Sequence, residues 1–251
     1  MATLNSPVPS PIDPRIAEPL FDLCAPCPGR GQAVCAGLSA EELRRLAELV
    51  QIQRLDAGQP LFAEGEEAVF LFNIAAGMIK LYKLLPDGRR QITGFLMPGD
   101  FLGLMFADRY PYTAETVTSS VLCRFQRRRL EALLDTCPQM HKRLFGLASS
   151  ELAGSHDQML LLGRKTAREK ICSFLDMLER RARRVSQPTT KISIIQLPMS
   201  RADIADYLGL TTETVSRTLT WLKTRGVISL LDGNRVSFTR QDTLRELAEA
   251  G

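Results

Sequence analysis

Three cysteines fall within twelve residues: Cys24, Cys27 and Cys35. Thiolates are ligands for soft metals, and iron–sulfur clusters are usually held by four of them. The run Cys24-Ala-Pro-Cys27-Pro-Gly-Arg-Gly-Gln-Ala-Val-Cys35 offers three from one loop whose glycines let it wrap a metal centre. A fourth ligand must come from elsewhere. Zinc is the lesser alternative, because it usually takes two short-spaced cysteine pairs and only one exists here. Cys137, next to Pro138, and Cys172, in Ile171-Cys-Ser-Phe174, read as structural. Cys123 lies in Val117-Thr-Ser-Ser-Val-Leu-Cys-Arg-Phe125, where Val117, Val121, Cys123 and Phe125 share one face of a period-two pattern and point inward. Taken alone, that is how a small buried hydrophobe behaves. His141 and His156 are the only histidines and fall on one helical stretch, where polar helix positions explain them better than haem or metal ligation.

A second constellation lies between Pro198 and Lys223. Ser200 and Asp203 form a capping box, with Asp in place of the more usual Glu. Ile204, Ala205 and Leu208 give the first helix its buried side, and Gly209 supplies a tight turn. Thr211 or Thr212 caps a second helix with the inner face Val215, Leu219 and Leu222. This is a helix-turn-helix. On the second helix Glu213, Ser216 and Arg217 stand at i, i+3 and i+4, away from the apolar stripe. Arg can bond bidentately to guanine, Glu can accept from cytosine, and Ser can do either. A merely solvated face is the alternative. Two short strands then surround Asp232-Gly233-Asn234, a wing whose Arg235 can reach phosphates.

Other elements must carry these groups. A Pro-rich tail over 1–22 is expected to be disordered. Ser39 with Glu42 opens a short helix with a Leu43, Leu46 and Val50 stripe. Over 52–125, glycine turns recur every 7–12 residues and predict a small antiparallel roll or barrel. Asp87-Gly88 is its best hairpin signal. After Pro138 a long helix runs from about 139 to 164, with Met140, Leu144, Leu147, Leu161 and Leu162 as its apolar stripe and a polar middle. Such a stripe is either core or a dimer seam; a weak polar centre suits a dimer that needs help from another site. A second helix follows to about 184, then a polar linker. The fold class is α+β, with a sensor roll and cysteine loop over 23–138, a dimerisation helix over 139–165 and a winged helix-turn-helix over 166–251.

Composition agrees. The 251 residues are 45% hydrophobic and 24% charged, with a net charge of +4. The charge is uneven: 17 Lys+Arg against 18 Asp+Glu up to Arg164, and 15 against 10 beyond it. A basic C-terminal third points to a polyanion. No apolar run reaches the roughly 20 residues of a membrane span, and the N-terminus lacks the pattern of a secretory signal. A cytoplasmic protein is expected, and its cysteines are not read as a disulfide framework.

Taken together, the glycine rhythm, Pro98-Gly-Asp-Phe-Leu-Gly103, Leu160-Leu-Leu-Gly-Arg-Lys-Thr-Ala-Arg-Glu-Lys-Ile171 and Thr212-Glu-Thr-Val-Ser-Arg217 resemble the CRP/FNR superfamily of bacterial regulators over about residues 24–245. The resemblance implies a cyclic-nucleotide-binding-like roll, a long dimer helix and a C-terminal winged helix. It implies an Arg-Ser pair in members that bind cyclic AMP. Leu104 and Met105 follow the glycine here and no such pair occurs, with Arg109 misplaced, so no cyclic nucleotide is expected. Glu213-x-x-Ser216-Arg217 is similar to the FNR branch, which implies inverted repeats with TTGAT-like half-sites in double-stranded DNA. FNR-like oxygen sensors have three N-terminal cysteines and one in the roll. The resemblance therefore implies an oxygen-labile [4Fe–4S] cluster on Cys24, Cys27, Cys35 and Cys123 that favours a homodimer. Arg127-Arg128-Arg129 reads as a solvated face, with RNA polymerase contact as its alternative.

Three other functions compete with this one. No phosphate loop, nucleophile elbow or metalloprotease motif supports an enzyme. A cluster-free regulator of the same fold, with redox-sensitive thiols, is the main alternative. Electron transfer by the cluster is the third.

Overall fold

The computed structural model describes Cys27 and residues 29–103, 108–185, 194–232 and 234–249. The expected tail, Cys24, Leu104 and Met105, the Ser186–Thr190 linker and Gly233 of the wing lie outside the described residues.

The chain after Cys27 folds into turns and then helix α1 (Ala40–Ala47). Its start is the predicted capping box: Ser39 accepts from the Glu42 amide, and Glu42 accepts from the Ser39 amide. Leu43 and Leu46 are buried, but Val50 belongs to the next element, because α1 ends before it.

Eight strands make the roll: β1 (Val50–Leu55), β2 (Pro60–Phe62), β3 (Phe70–Ala76), β4 (Ile79–Leu84), β5 (Arg90–Leu96), β6 (Phe101–Leu102), β7 (Thr113–Thr116) and β8 (Ser120–Gln126). They form two antiparallel four-stranded sheets, ordered β1-β8-β3-β6 and β2-β7-β4-β5. The Asp87-Gly88 hairpin is present, with Leu84 opposite Arg90. Gly77 shows why the turns need glycine: at φ +89°, a Cβ there would lie 2.2 Å from Ser120 Oγ. One core, including Phe62, Ile74, Ile79, Leu102 and Leu122, fills the roll.

Strand β8 is packed on both sides. Leu122 points into the roll, while Cys123 and Phe125 face a second core beneath α1, with Leu43, Leu46 and Val50. Cys123 is inward-facing as expected, but toward the N-terminal segment rather than the roll interior. Val117 lies outside β8, in the connection after β7.

Helix α2 (Arg127–Leu134) leads to the long helix α3 (Pro138–Arg164), whose Pro138 sits in the first turn, where no amide donor is needed. The apolar stripe expected to form a seam packs against the protomer's own cores. Met140 and Leu144 are buried in the core under α1, Leu147 packs partly against it, and Leu161 is buried in the C-terminal core. These side chains are occupied within their own protomer. The large apolar residues that α3 leaves exposed are Phe145 (73%), Leu152 (59%), Met159 (64%) and Leu160 (57%). A 3.6-residue period defines both stripes, and only the packing tells which one faces inward.

Helix α4 (Ala167–Val185) starts where Thr166 and Glu169 bond reciprocally, and helices α5 (Arg201–Leu208) and α6 (Thr212–Thr224) follow β9 (Ile194–Gln196). Strands β10 (Ile228–Leu231) and β11 (Arg235–Phe238) complete a β10-β11-β9 sheet, and α7 (Gln241–Glu249) packs on α4. Lys165 helps lock α7 by donating to Ser173 Oγ and the Ala248 carbonyl. Among the described residues, no helix is long and apolar enough to cross a membrane.

Candidate thiolate site and nucleic-acid interface

The thiolate candidates are built from two elements. Cys27 and Cys35 bracket a tight N-terminal turn in which Gln32 and Ala33 both donate to the Gly29 carbonyl. Cys123 comes from β8, paired across the sheet with Ile52 and Asn73. Cys35 and Cys123 line one cavity of about 20 Å³, with Val34, Leu46, Phe125 and Asn73 around it. Cys27 is half-buried on the same segment, and among the described residues no three His, Cys, Asp or Glu side chains gather as a metal group. Asn73 is almost wholly buried and its Oδ1 has no hydrogen-bond partner. An orphaned buried acceptor costs about 1–3 kcal/mol, so this cavity carries a polar group its own walls leave unsatisfied. Two thiols from distant parts of the chain meet here against an apolar wall, donors of the kind soft metals take, around a space of about one water.

Cys137 and Cys172 are fully buried. Cys137 donates to Glu42 Oε1 at 3.2 Å, and burial, with that carboxylate facing it, holds its pKa above the usual thiol value. Burial pushes the Cys172 thiol up to about 11. Both stay protonated at neutral pH, as structural cysteines do.

Helices α5 and α6 form the helix-turn-helix. Ser200 and Asp203 make the predicted capping box. Gly209 ends α5 with φ +61° and ψ +45°, the left-handed geometry that lets the chain turn sharply. Thr211, not Thr212, caps α6, accepting from the Thr214 amide at 3.1 Å. Val215, Leu219 and Leu222 are buried, while Thr212, Glu213, Ser216 and Arg217 are exposed on one side of α6. Glu213 and Arg217 pair at 2.6 Å, which holds both heads over the open face. Arg235 is exposed at the wing, and its Nε donates to the Asp232 carbonyl.

Sequence reasoning missed how the helix-turn-helix is attached to the roll. Lys80 of β4 is buried and bridges Asp203 (3.1 Å) and Glu115 (2.9 Å). Arg90 of β5 reaches Asp203 and Asp206, each at 2.8 Å, and Gln91 donates to the Asp206 carbonyl. Burial raises the Asp203 pKa, but hydrogen bonds from Ser200 and Lys80 outweigh it and hold the carboxyl below its usual value. Phe95, Phe174 and Tyr207 cluster beside this network. The one available signal was Lys80, a charge set between Ile79 and Leu81 in a strand. Arg109, expected to be misplaced for a cyclic phosphate, bonds the Gly65 carbonyl at 2.6 Å.

Comparison with known proteins matches two family models: the cyclic nucleotide-binding domain over residues 52–137 and the Crp-like helix-turn-helix domain over residues 169–247. The nitrogen fixation regulation protein FixK of Bradyrhizobium diazoefficiens is 41% identical over 86% of this chain and 90% of its own. The transcriptional activatory protein AadR of Rhodopseudomonas palustris is 43% identical over 84% of this chain and 87% of its own. The solved structure of FixK2 from Bradyrhizobium japonicum is similar with a TM-score of 0.73 and 34% identity, over 79% of this chain and 96% of that one.

Proposed function

Because the chain belongs to the CRP/FNR superfamily of transcription regulators, we propose that it is an oxygen-responsive, cytoplasmic regulator that binds DNA as a homodimer stabilised by a [4Fe–4S] cluster. The function of its family is DNA-binding transcription regulation, not enzyme catalysis. AadR is named as an activator, and activation through RNA polymerase is the reading carried to this chain.

The observation that carries the sensing claim is the convergence of Cys35 and Cys123 on one apolar-walled cavity. Cys24, Cys27, Cys35 and Cys123 are the ligands proposed. A cluster there supplies oxygen lability and a binding free energy that orders the N-terminal segment. The cavity itself lies beside the first turns of α3, since Met140 and Leu144 share its surrounding core.

The dimer seam is assigned to the exposed stripe of α3. Phe145, Leu152 and Met159 stand at seven-residue intervals, the spacing of a two-helix seam. Ser155 and His156 interrupt it, which keeps the seam weak. Parallel pairing of two such helices places two α6 helices symmetrically, and an inverted repeat in DNA mirrors that symmetry. Thr212, Glu213, Ser216 and Arg217 are the proposed base-reading face for TTGAT-like half-sites, with Arg235 on a phosphate. No cyclic nucleotide is part of this reading, because the expected Arg-Ser pair is missing from the sequence.

Anaerobic purification tests the cluster. A brown protein with iron and sulfide near four each per chain supports it, and Cys123→Ser should lose that complement and the oxygen response while Cys137→Ser keeps both. A full complement in Cys123→Ser with normal DNA binding refutes the ligand assignment. The second reading, a cluster-free regulator with redox-sensitive thiols, is favoured by the tightness of the cavity, which has room for about one water. A colourless protein whose DNA binding follows thiol oxidation selects it.

A further inference from the structure

Arg143 stands on α3 directly before the buried Leu144 and two residues before the exposed Phe145. Its Nε donates to the Ala33 carbonyl at 3.2 Å, and its Nη2 donates to the Gln32 carbonyl. Both acceptors lie in the turn between Cys27 and Cys35. Ala33 is fully buried, and its carbonyl also accepts from the Ala36 amide. Buried carbonyls require partners, and a guanidinium offers two donors in one rigid plane where an ammonium offers a point charge.

The opposite side of the same turn is pressed against the roll. A Cβ on Gly29 would come within 2.5 Å of the Gly99 amide nitrogen, and one on Gly99 would meet Gln32 Cβ at 2.9 Å. The cysteine-bearing turn is therefore clamped between the Gly99 turn and α3. Arg143 is a polar contact that ties it to α3, one step from the exposed apolar stripe.

We infer that Arg143 is a positioning residue that couples the cysteine segment to the dimer helix. It holds Cys35 across the cavity from Cys123 and makes order in that turn and order at the start of the Phe145 stripe a single property. This rests on the cluster reading above. Without the fork, the thiols can still be brought together, but the energy of ordering them no longer reaches α3.

The test uses the full chain as wild type, Arg143→Lys and Arg143→Gln. Each is reconstituted anaerobically with iron and sulfide, and a portion of each is stripped by chelation. Iron and sulfide content, the visible spectrum, hydrogen exchange over residues 29–36 and the dimer midpoint by sedimentation are read on both forms. Arg143→Gln should bind the full iron and sulfide complement and exchange faster over 29–36. Its loaded dimer should need at least roughly tenfold more protein to form, the loss expected if only one of the two charge-assisted bonds is felt at the seam. The stripped forms of all three proteins should dissociate alike, and Arg143→Lys should recover part of the loss. A loaded Arg143→Gln dimer as tight as wild type overturns the coupling. So does a variant weakened equally with and without iron, since that is a general structural role. If Arg143→Gln fails to fold, Arg143→Lys is judged by the same difference. A wild type that takes up neither iron nor sulfide removes the cluster reading and this inference with it. A loaded wild type with unresponsive variants removes this inference alone.

Discussion

Lys80 and Asp203 join the roll to the first helix of the helix-turn-helix, and a double-mutant cycle between them measures that joint. The side chains are 9% and 10% exposed, with Nζ 3.1 Å from Oδ1. Removing one member of a buried pair costs about 3–5 kcal/mol when the survivor is left uncompensated. Here neither survivor is stranded. Asp203 keeps Arg90 at 2.8 Å, and Lys80 keeps Glu115 at 2.9 Å. Lys80→Met also removes the cost of burying an ammonium. The expected loss for Lys80→Met is therefore lower, about 1–3 kcal/mol. Asp203→Asn should lose a similar amount plus roughly 1 kcal/mol for the weakened α5 cap. The measurement is urea unfolding of wild type, both single variants and the double variant at neutral pH. A coupling energy of about 1–2 kcal/mol is expected, within the range for contacting residues in one network. Additivity to within roughly 0.3 kcal/mol would refute the joint, because distant sites behave that way. Hydrogen exchange on α5 locates the effect: Lys80→Met should deprotect residues 201–208 more than the wing.

Three further predictions follow from the same geometry. Arg217→Ala should cost roughly 1–3 kcal/mol on a cognate site and relax preference at one base pair, and equal losses on cognate and random DNA in a binding assay would reject base reading. Leu152→Asp should leave the protomer folded, because Leu152 is exposed within it, yet move the anaerobic protein to monomers in sedimentation, whereas Met140→Asp should unfold it. The folded Asp203 pKa lies below its unfolded value near 3.9, so its stabilisation is full above that pH and is lost as pH falls through the folded value. Acid titration of wild type should show a loss of stability below about pH 4 that Asp203→Asn reduces.

Local signals in the sequence were reliable where one or two residues decide the geometry. Ser39 with Glu42, Ser200 with Asp203, Gly209 and Asp87-Gly88 each appear in the structure as capping boxes, a left-handed turn and a hairpin. The inward face of Cys123 was also legible from alternation. What it faces was not, since β8 is packed on both sides and period two cannot rank one core against another. The packing of the α3 stripe was not legible for a related reason. Leu144 and Phe145 are adjacent apolar residues that point to opposite sides, and only the position of α1 and α2 decides that Leu144 is buried. The roles of Lys80, Arg90 and Arg143 were not legible, because the partners that tie them to other parts of the fold, Asp203 for the first two and Ala33 for the third, are at least 110 residues away in sequence.

Those distant partners give the fold its continuity. The turn at Pro98-Gly99-Asp100 touches Gly29 and Gln32 through Gly99, whose φ of +96° brings its bare Cα against them. One residue on, the Asp100 carboxylate pairs with Arg181 of α4 and also accepts from the Met97 amide. Arg181 Nη1 in turn donates to the Phe95 carbonyl at 2.9 Å, beside the aromatic cluster that includes Tyr207 of α5. A side chain at residue 99 would push the cysteine-bearing turn away from the roll, and loss of Asp100 would release the turn from α4. Two consecutive residues, Gly99 and Asp100, thus join the N-terminal segment to α4 by backbone contact on one side and an ion pair on the other. A substitution there acts on both, which explains why Gly99 must be glycine on steric grounds independent of any ligand.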